Sequence, residues 1–534
     1  MTLFRQKLHQ KIPAGFSILL VVFLILPIIY LVIRALGAPV RDIYQFLFSP
    51  RTAKVITNSL GLTLGVTVIS SFIAVPAAFL TVRTDLKFSR FWQIILILPL
   101  VIPSYVGAFA FIAFAGPRGS ILHNWLSPLG IERLPSIYGW PGALVVLSLF
   151  TYPYLYLTVS SALQGLNPHL EEAGRSLGEN SRGVFRRIIL PRLLPALGAG
   201  GLLVGLYTLS DFGAVSLLQF DSFTRMIYVE YNFSFDPHSA AFYALILIII
   251  SIFLLAGEFI LKKLSAYKIT ADPDKKMLAS PIKLGGWQFF AQFFLFLVAA
   301  GGVLLPVGVS MYWVFRGLMA GGGIEISTSA LYNSLAVSGA TALIALVAAL
   351  PVSIYALTKS KLSLVIEKAT YLGYALPGIV VGLGLIFFSI SFTPRLYQSL
   401  PVLLLAYLIR FLPQAVGTTK NSLSQINPRL KEAGRSLGRG RLKIFKEVIL
   451  PLLKPGLLAG GALVFLTTMK ELPATLLLRP TGFETLATRI WQATEEAFFA
   501  RAGAHGLILI FATFLVLSLL WGLNVNLRKR GFDF

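Results

Sequence analysis

Four ionisable residues lie within long apolar stretches of the chain, where a charge needs a function or a partner. They are Asp211, Arg410, Lys470 and Glu471. The two acidic residues are each followed by a helix-disturbing residue, Gly213 or Pro473, and a broken helix in a membrane exposes backbone carbonyls towards a cavity. Because carboxylate and carbonyl oxygens suit a hard cation, the pattern is compatible with a cation pathway or gate. The alternative is that both acids only form ion pairs or cap a broken helix.

Arg410 lies near the middle of an apolar stretch, where an unpaired cation costs several kcal/mol. It therefore requires an anionic partner, and Glu471 is the first candidate. Such a pair is either structural or part of a gate. Asp211 and Glu471 each lie 20 residues beyond a proline, Pro191 or Pro451. At about 1.5 Å per helical residue, both should lie towards the outer end of a span.

Other catalytic and metal chemistry finds little support in the sequence. The chain has no Cys, which excludes disulfides, thiolate metal sites and thiol catalysis. Its five His residues form no ligand-spaced pair, so we assign no metal site firmly. A phosphate-binding loop of the G-x-x-x-x-G-K-S/T type is absent, since no Gly-Lys dipeptide occurs. We therefore expect no catalytic residue, no resident cofactor and no ATPase site in this chain.

The elements that position these charges are predicted to be transmembrane helices. The chain has 534 residues, of which 56% are hydrophobic and 13% charged, and a mean hydropathy of +0.78. So apolar a chain needs lipid as its solvent, and apolar runs of about 20 residues are long enough to cross a bilayer. The twelve predicted spans are 15–36, 56–82, 92–115, 140–163, 193–219, 240–261, 287–315, 331–357, 367–391, 400–419, 455–478 and 504–527. The expected fold is an all-α polytopic membrane protein.

The net charge of +24 reflects an excess of Lys and Arg on the cytoplasmic side of the membrane, and it does not indicate nucleic-acid binding. With both termini on the cytoplasmic side, roughly 32 of the 46 Lys and Arg residues fall on that side of the membrane. The basic N-terminus resembles the start of a signal peptide, but the apolar run after it is about 22 residues long and has no small-residue cleavage site. The first run is therefore predicted to be a retained span.

The same motif occurs twice, 260 residues apart. Glu172 to Gly178 and Glu432 to Gly438 both read Glu-Ala-Gly-Arg-Ser-Leu-Gly, and Leu-Pro follows at 190–191 and at 450–451. Asn-Ser-Leu also recurs, at 58–60 and 333–335. The offset of 275 there falls to 260 at the motif, so the first half holds 15 extra residues, expected near 116–140.

The repeat predicts two homologous six-span halves related by a pseudo-twofold axis along the membrane normal. The halves are expected at 1–261 and 287–534. A polar, Pro-containing cytoplasmic linker at 262–286 is expected to join them.

Each motif copy predicts a helix-turn-helix under the membrane. Asn167-Pro168 and Asn427-Pro428 each place a capping residue before a proline suited to the first helical position. Leu170, Ala173 and Leu177 then share one helix face, and Gly178 permits a sharp turn. We expect the two segments to span 167–191 and 427–451.

The motif resembles the signature of permease subunits of binding-protein-dependent ABC importers, which reads Glu-Ala-Ala, three residues, Gly, nine residues, Ile, one residue, Leu-Pro. This chain departs from it with Gly174 and Gly434 at the second Ala and with Val448 at the Ile. The resemblance implies a type I importer permease in a bacterial inner membrane, with ATP and Mg²⁺ on two copies of a separate ATPase subunit. It also implies that these segments dock on the ATPase subunits through Glu172, Ala173, Gly174, Gly178, Pro191, Glu432, Ala433, Gly434, Gly438 and Pro451.

Two segments at the ends of the fifth and eleventh spans bear on the substrate, and the outer segments 220–228 and 483–491 follow them. Residues 210–218 and 469–480, together with the fusion of both halves, look like those of ferric iron importer permeases. That resemblance implies a soluble or lipid-anchored ferric-iron-binding protein, for which Arg225 and Arg489 are candidate docking residues. Both arginines are equally compatible with solvated surface positions. Fused permeases for thiamine or phosphonate remain the alternative, and an ion-coupled secondary transporter is a more distant one.

Overall fold

The described chain is a bundle of helices that repeats its order once. The computed structural model describes residues 2–268, 281–321, 325–358 and 360–529, and within these residues no β-strand occurs. The first half contains α1 Thr2–Leu36, α2 Val40–Leu47, α3 Pro50–Arg83, α4 Ser89–Ile95, α5 Ser104–Ala115, α6 Ile121–Leu126, α7 Trp140–Gln164, α8 Pro168–Ser176, α9 Ser181–Val184, α10 Leu190–Ser210, α11 Gly213–Leu217, α12 Phe223–Asn232 and α13 Pro237–Lys268. The second half contains α14 Gln288–Ala299, α15 Leu305–Met319, α16 Thr328–Ala356, α17 Lys361–Ala375, α18 Gly378–Phe392, α19 Leu400–Gln425, α20 Pro428–Ser436, α21 Arg441–Ile444, α22 Leu450–Met469, α23 Pro473–Leu478, α24 Leu486–Glu495 and α25 Phe499–Lys529.

Ten helices of the described chain are long and apolar enough to cross a membrane, and two bent pairs bring the total to twelve if each pair is one span. The prediction of an all-α polytopic protein is therefore confirmed. The third and ninth spans are not the straight helices expected: α4 and α5 meet at 95°, and α17 and α18 meet at 105°. Pro103 and Pro377 precede the second member of each pair. A proline does not continue the preceding helix, which explains why both pairs bend there.

The fifth and eleventh spans are also interrupted. Helix α10 ends at Ser210 and helix α22 at Met469, although apolar residues continue beyond both points. Short helices, α11 and α23, follow after the breaks. Gly213 and Pro473 predict a helix break at these positions, and the structure has one at each.

Part of the expected linker belongs to a helix. Helix α13 continues to Lys268, beyond the boundary expected at 261. The expected linker residues 269–280 lie outside the described residues. At its end, the Ile282 amide donates to the Arg83 carbonyl at 2.9 Å and the Asp85 amide donates to the Ile282 carbonyl at 3.1 Å. The chain therefore enters the second half alongside the end of α3.

The first span of each half packs against the other half. Helix α1 contacts α16, α17 and α18, while α15 contacts α5 as well as α25. Glycine allows the closest approaches: a Cβ atom at Gly384 would lie 2.7 Å from Pro27, and one at Gly302 would lie 2.9 Å from Pro99. Backbones approach closely where side chains are small. Because each first span packs on the opposite half, this exchange of first spans joins the halves into one unit.

The repeated Asn-Ser pair holds the outer helices in place. Asn58 Nδ2 donates to the Asp221 carbonyl at 3.1 Å, and the Phe223 amide donates to Ser59 Oγ at 3.0 Å. The second half makes the same two contacts, at 3.0 and 2.8 Å, through Asn333, Glu484, Leu486 and Ser334. The motif therefore satisfies backbone groups at the start of α12 and α24, which membrane burial would otherwise leave unpaired.

We expect Ser59→Ala or Ser334→Ala to destabilise the folded protein by about 1–3 kcal/mol, because each leaves a buried amide without its acceptor. Thr57→Ala is the matched control, since the exposed Thr57 hydroxyl bonds only to carbonyls of its own helix. Thermal unfolding of the purified protein in detergent measures the effect. Equal melting temperatures for Ser59→Ala and Thr57→Ala would contradict this role.

Candidate functional site

The two motif copies fold into the same short helix and turn. Asn167 Oδ1 accepts the His169 amide at 3.0 Å, and Asn427 Oδ1 accepts the Arg429 amide at 3.0 Å, so α8 and α20 begin with the capping residues expected. At the other end, the Glu179 amide donates to the Gly174 carbonyl at 3.1 Å, and the Gly178 amide to the Arg175 carbonyl at 3.0 Å. This pattern is a Schellman motif, and α20 ends with the same pair of bonds.

The turn glycines are required by the backbone. Gly178 has φ +84° and Gly438 has φ +70°, in the left-handed region that side chains rarely adopt. A Cβ atom at either position would meet no atom within 4 Å. The space beside both turns is therefore open for another molecule.

The two glycines that depart from the family signature have a packing reason. A Cβ atom at Gly174 would lie 2.5 Å from Ile188, and one at Gly434 would lie 2.9 Å from Ile444. The first half has Val184 and Ile188 at these two positions, and the second half has Ile444 and Val448 at the equivalent ones. Valine and isoleucine therefore exchange places between the halves. Glycine lets the short helix lie directly on the helix that follows the turn.

Each turn leads back to the membrane through the same irregular segment. Five-residue π-helical segments, Phe185–Ile189 and Phe445–Ile449, connect α9 to α10 and α21 to α22. Pro191 and Pro451 then stand in the first turn of α10 and α22. The motif and the long helix therefore form one continuous element.

The copies differ in their ionic contacts. Glu179 pairs with Arg187 in the first copy, and Arg439 pairs with Glu447 in the second, so the signs at equivalent positions are reversed. Glu171 also forms a buried ion pair with Arg83 at the end of α3. The residues at the equivalent positions of the second half are Lys431 and Thr358, which cannot form that pair.

The surface that the copies share is exposed and partly apolar. Leu177 is 85% exposed and Leu437 is 78% exposed, and Ala173, Ala433, Glu172 and Glu432 are also exposed. An exposed leucine beside a rigid turn is suited to a partner surface. Each copy therefore has the form of a protein docking element.

We expect the double substitution Gly178→Asp and Gly438→Asp to uncouple ATP hydrolysis from transport while the protein remains folded in the membrane. Both substitutions place bulk and charge at the exposed turns, where the family resemblance implies that an ATPase subunit docks. Gly130→Asp is the matched control, because Gly130 also has a positive φ of +85° and open space but lies in the loop before α7. ATPase activity and uptake in proteoliposomes measure the effect. Substrate-stimulated ATPase activity at the control's level would refute the assignment.

A second cluster of candidate residues lies where the long helices break. Asp211 directly follows α10, and its Oδ1 accepts the Ala214 amide at 2.9 Å. Ser104, the first residue of α5, donates a hydrogen bond to Asp211 Oδ2. Thr224 donates to the Asp211 carbonyl at 2.6 Å. The buried carboxylate therefore ties α10, α11 and α5 together, and among the described residues it has no cationic partner.

The second half builds the same break with an ion pair. Glu471 accepts the Ala474 amide at 3.1 Å and pairs with Arg410 of α19, the partner that the sequence suggested. Gly378, the first residue of α18, makes room: a Cβ atom there would lie 2.4 Å from Glu471 and 2.7 Å from Arg410. Ser104 and Gly378 occupy equivalent positions. The first half therefore binds its carboxylate with the Ser104 hydroxyl, and the second half binds its carboxylate with the Arg410 guanidinium.

Lys470 connects the halves. Its Nζ donates to the carbonyl of Leu100 at 2.6 Å, which lies between α4 and α5 of the first half. It does not pair with either acidic residue among the described contacts. The break of the second half is therefore joined to the bend of the first.

Arg410→Met is expected to destabilise the protein by about 3–5 kcal/mol, because it leaves Glu471 buried without its counter-charge. Adding Glu471→Gln should recover most of that loss, since no unpaired charge then remains. Thermal unfolding of both variants gives the comparison. If the double variant is no more stable than the single one, the pair does not explain the effect.

The outer arginines each have an acidic partner. Arg225 pairs with Asp221, and Arg489 pairs with Glu484. Both acids also accept the repeated Asn side chain through their backbone carbonyls. Arg225 is the third residue of α12 and Arg489 the fourth residue of α24, so both arginines lie in the first turn of their helix.

Sequence reasoning missed Ser104, Gly378 and Tyr207 in the centre. Ser104 and Gly378 each follow a Pro in the two aligned halves, a signal that a full alignment of the repeats would have shown. Tyr207 lies one helical turn before Asp211, on the same face of α10.

Comparison with known proteins finds relatives that match both halves of the chain. The family described as binding-protein-dependent transport system inner membrane component matches residues 67–266 and 342–531. The Fe(3+)-transport system permease protein FbpB 2 of Haemophilus influenzae is 34% identical over 91% of this chain and 93% of its own length. The ferric transport system permease protein FbpB of Actinobacillus pleuropneumoniae is 26% identical over 86% of this chain and 69% of its own. The spermidine/putrescine transport system permease protein PotB of Haemophilus influenzae is 33% identical, but over 33% of this chain.

Proposed function

We propose that this chain, which belongs to the family of binding-protein-dependent transport system inner membrane components, carries ferric iron across a bacterial inner membrane. The observation that carries the proposal is the similarity to an Fe(3+)-transport permease over nearly the full length of both chains. A match over 91% of the chain necessarily includes both halves. The relative named for spermidine and putrescine matches about a third of the chain, which supports the shared architecture and not its substrate.

ATP hydrolysis on separate subunits drives the transport in this proposal. The chain presents two equivalent docking elements, 167–191 and 427–451, and each takes one ATPase subunit that binds ATP and Mg²⁺. Their shared features support this arrangement: the same cap, the same turn and the same exposed leucine. Movement of the ATPase subunits displaces α10 and α22, because each docking element continues into one of these helices.

The four membrane charges act as the gate. In the closed gate, Asp211 is held by Ser104 at the first break, and Glu471 is held by Arg410 at the second. Lys470 links the second break to the first half. A displacement of α10 or α22 strains these contacts and opens the path between the halves. The division into 1–261, a linker at 262–286 and 287–534 gives each half one such break.

A soluble or lipid-anchored ferric-iron-binding protein delivers the substrate on the outer side, and both termini are cytoplasmic. Arg225 and Arg489 are the docking residues in this proposal. Their intrachain acids support the idea, since a carboxylate of the binding protein could replace Asp221 or Glu484 with little change in geometry.

The test is ATP-dependent uptake of ⁵⁵Fe into proteoliposomes that contain this chain, its ATPase and its binding protein. Thiamine and a phosphonate serve as parallel substrates. We expect iron uptake that stops when either partner is omitted. Uptake of another substrate alone would overturn the iron assignment, and iron uptake without the ATPase would overturn the ATP-driven mechanism.

A further inference from the structure

The first docking element is fastened to the end of α3. Glu171 of α8 pairs with Arg83, the last residue of α3, and the two side chains are only 8% and 7% exposed. A buried pair resists separation because pulling it apart leaves an uncompensated charge, whereas a solvated pair contributes little. Thr358, at the position equivalent to Arg83, is instead an exposed residue without a charge. The pair therefore holds α8 against α3 in the first half and has no counterpart in the second.

A ring contact joins the same two parts of the first half. Phe79, one helical turn before Arg83, packs edge to face on Phe185 of the π-helical segment, with ring centroids 5.7 Å apart. The residues at the equivalent positions of the second half are Ile354 and Phe445, and Ile354 is exposed. Neither the ion pair nor the ring pair can therefore form in the second half.

The end of α3 is also where the chain enters the second half. The Arg83 carbonyl accepts the Ile282 amide at 2.9 Å, while the guanidinium of the same residue holds Glu171. Gln288, the first residue of α14, donates its Nε2 to the Asp85 carbonyl at 3.0 Å. One short stretch of backbone therefore joins the first docking element to the first long helix of the second half.

We propose that Arg83 is a positioning residue that makes the two docking elements unequal, a deepening that rests on the proposed function. The first element moves as one body with the end of α3 and the start of α14, whereas the second element moves independently of α16. An ATPase subunit beneath the first element thus acts on both halves at once, because α14 belongs to the second half. The subunit beneath the second element acts through α22.

The first test is cross-linking, for which the absence of Cys from the chain gives a clean background. In the complete complex, a short bismaleimide joins Arg83→Cys to Glu171→Cys, and in a second variant it joins Thr358→Cys to Lys431→Cys. We expect ATP-dependent ⁵⁵Fe uptake to survive the first cross-link, because that link replaces an attachment already present. The second cross-link should lower uptake about tenfold or more, because it prevents a movement that the second element requires.

Each variant is compared with itself before cross-linking, so that the loss of the native side chains does not enter the comparison. Loss of uptake on closing the first cross-link, or unchanged uptake on closing the second, would overturn the inference. No uptake by the wild type would instead overturn the proposed function.

The second test is hydrogen exchange in the wild-type complex without ATP. Both copies read Glu-Ala-Gly-Arg-Ser-Leu-Gly, so their intrinsic exchange rates are close. We expect the amides of α8 to exchange about tenfold or more slowly than those of α20, because a buried ion pair opposes the opening of α8. Equal exchange of α8 and α20 would overturn the inference whether or not the complex transports iron.

Two variants assign the difference in exchange to the ion pair. Arg83→Thr with Glu171→Lys installs the residue types of the second half and should remove the difference. Arg51→Thr with Glu230→Gln is the matched control, because it removes an ion pair of 2.7 Å at the opposite end of α3. The control should keep the wild-type difference. A difference that persists in the first variant, or that disappears in the control, would contradict the role of Arg83.

Discussion

A helix can break inside a membrane only if the protein itself satisfies the backbone groups that the break leaves open. Both halves meet this constraint with one acidic side chain. Asp211 and Glu471 each accept the amide three residues later, and a threonine donates to the carbonyl of the same residue. Each carboxylate therefore takes the place of a missing backbone acceptor. The surrounding helices must then accommodate its negative charge.

That accommodation differs between the halves, although the scaffold does not. The first half supplies Ser104 to Asp211, while the second half supplies Arg410 to Glu471 and keeps Gly378 where a side chain would clash. Contacts that satisfy backbone groups recur in both halves, as the Asn-Ser pairs show. The side-chain contacts of Asp211 and Glu471 diverge, because several combinations of charge and volume fill the same space.

The same helices connect the cytoplasmic turns to the breaks. Helices α10 and α22 begin next to the π-helical segments that follow the two turns, and they end at Ser210 and Met469, directly before Asp211 and Lys470. A continuous helix transmits displacement along its axis, whereas the hydrogen bonds at its end can exchange partners. The architecture thus places a stiff element between each exposed turn and a group of exchangeable contacts.

The sequence by itself determined the features that depend on local periodicity and on repetition. The all-α polytopic fold, the caps at Asn167 and Asn427, the turns at Gly178 and Gly438 and the breaks near Gly213 and Pro473 all follow from residue types at fixed spacing. Such features are local because helix caps and turns depend on a few neighbouring residues.

Only the tertiary structure decided which side chains meet across the halves. The exchange of first spans and the bond from Lys470 to Leu100 join residues that are far apart in the chain, and the bends at Pro103 and Pro377 depend on their surroundings. Periodicity reports which face of a helix is apolar, but in lipid nearly every face is apolar. The packing partner of each face is set by close-fitting shape and by the few polar groups that must be satisfied, and both appear only when the helices are assembled.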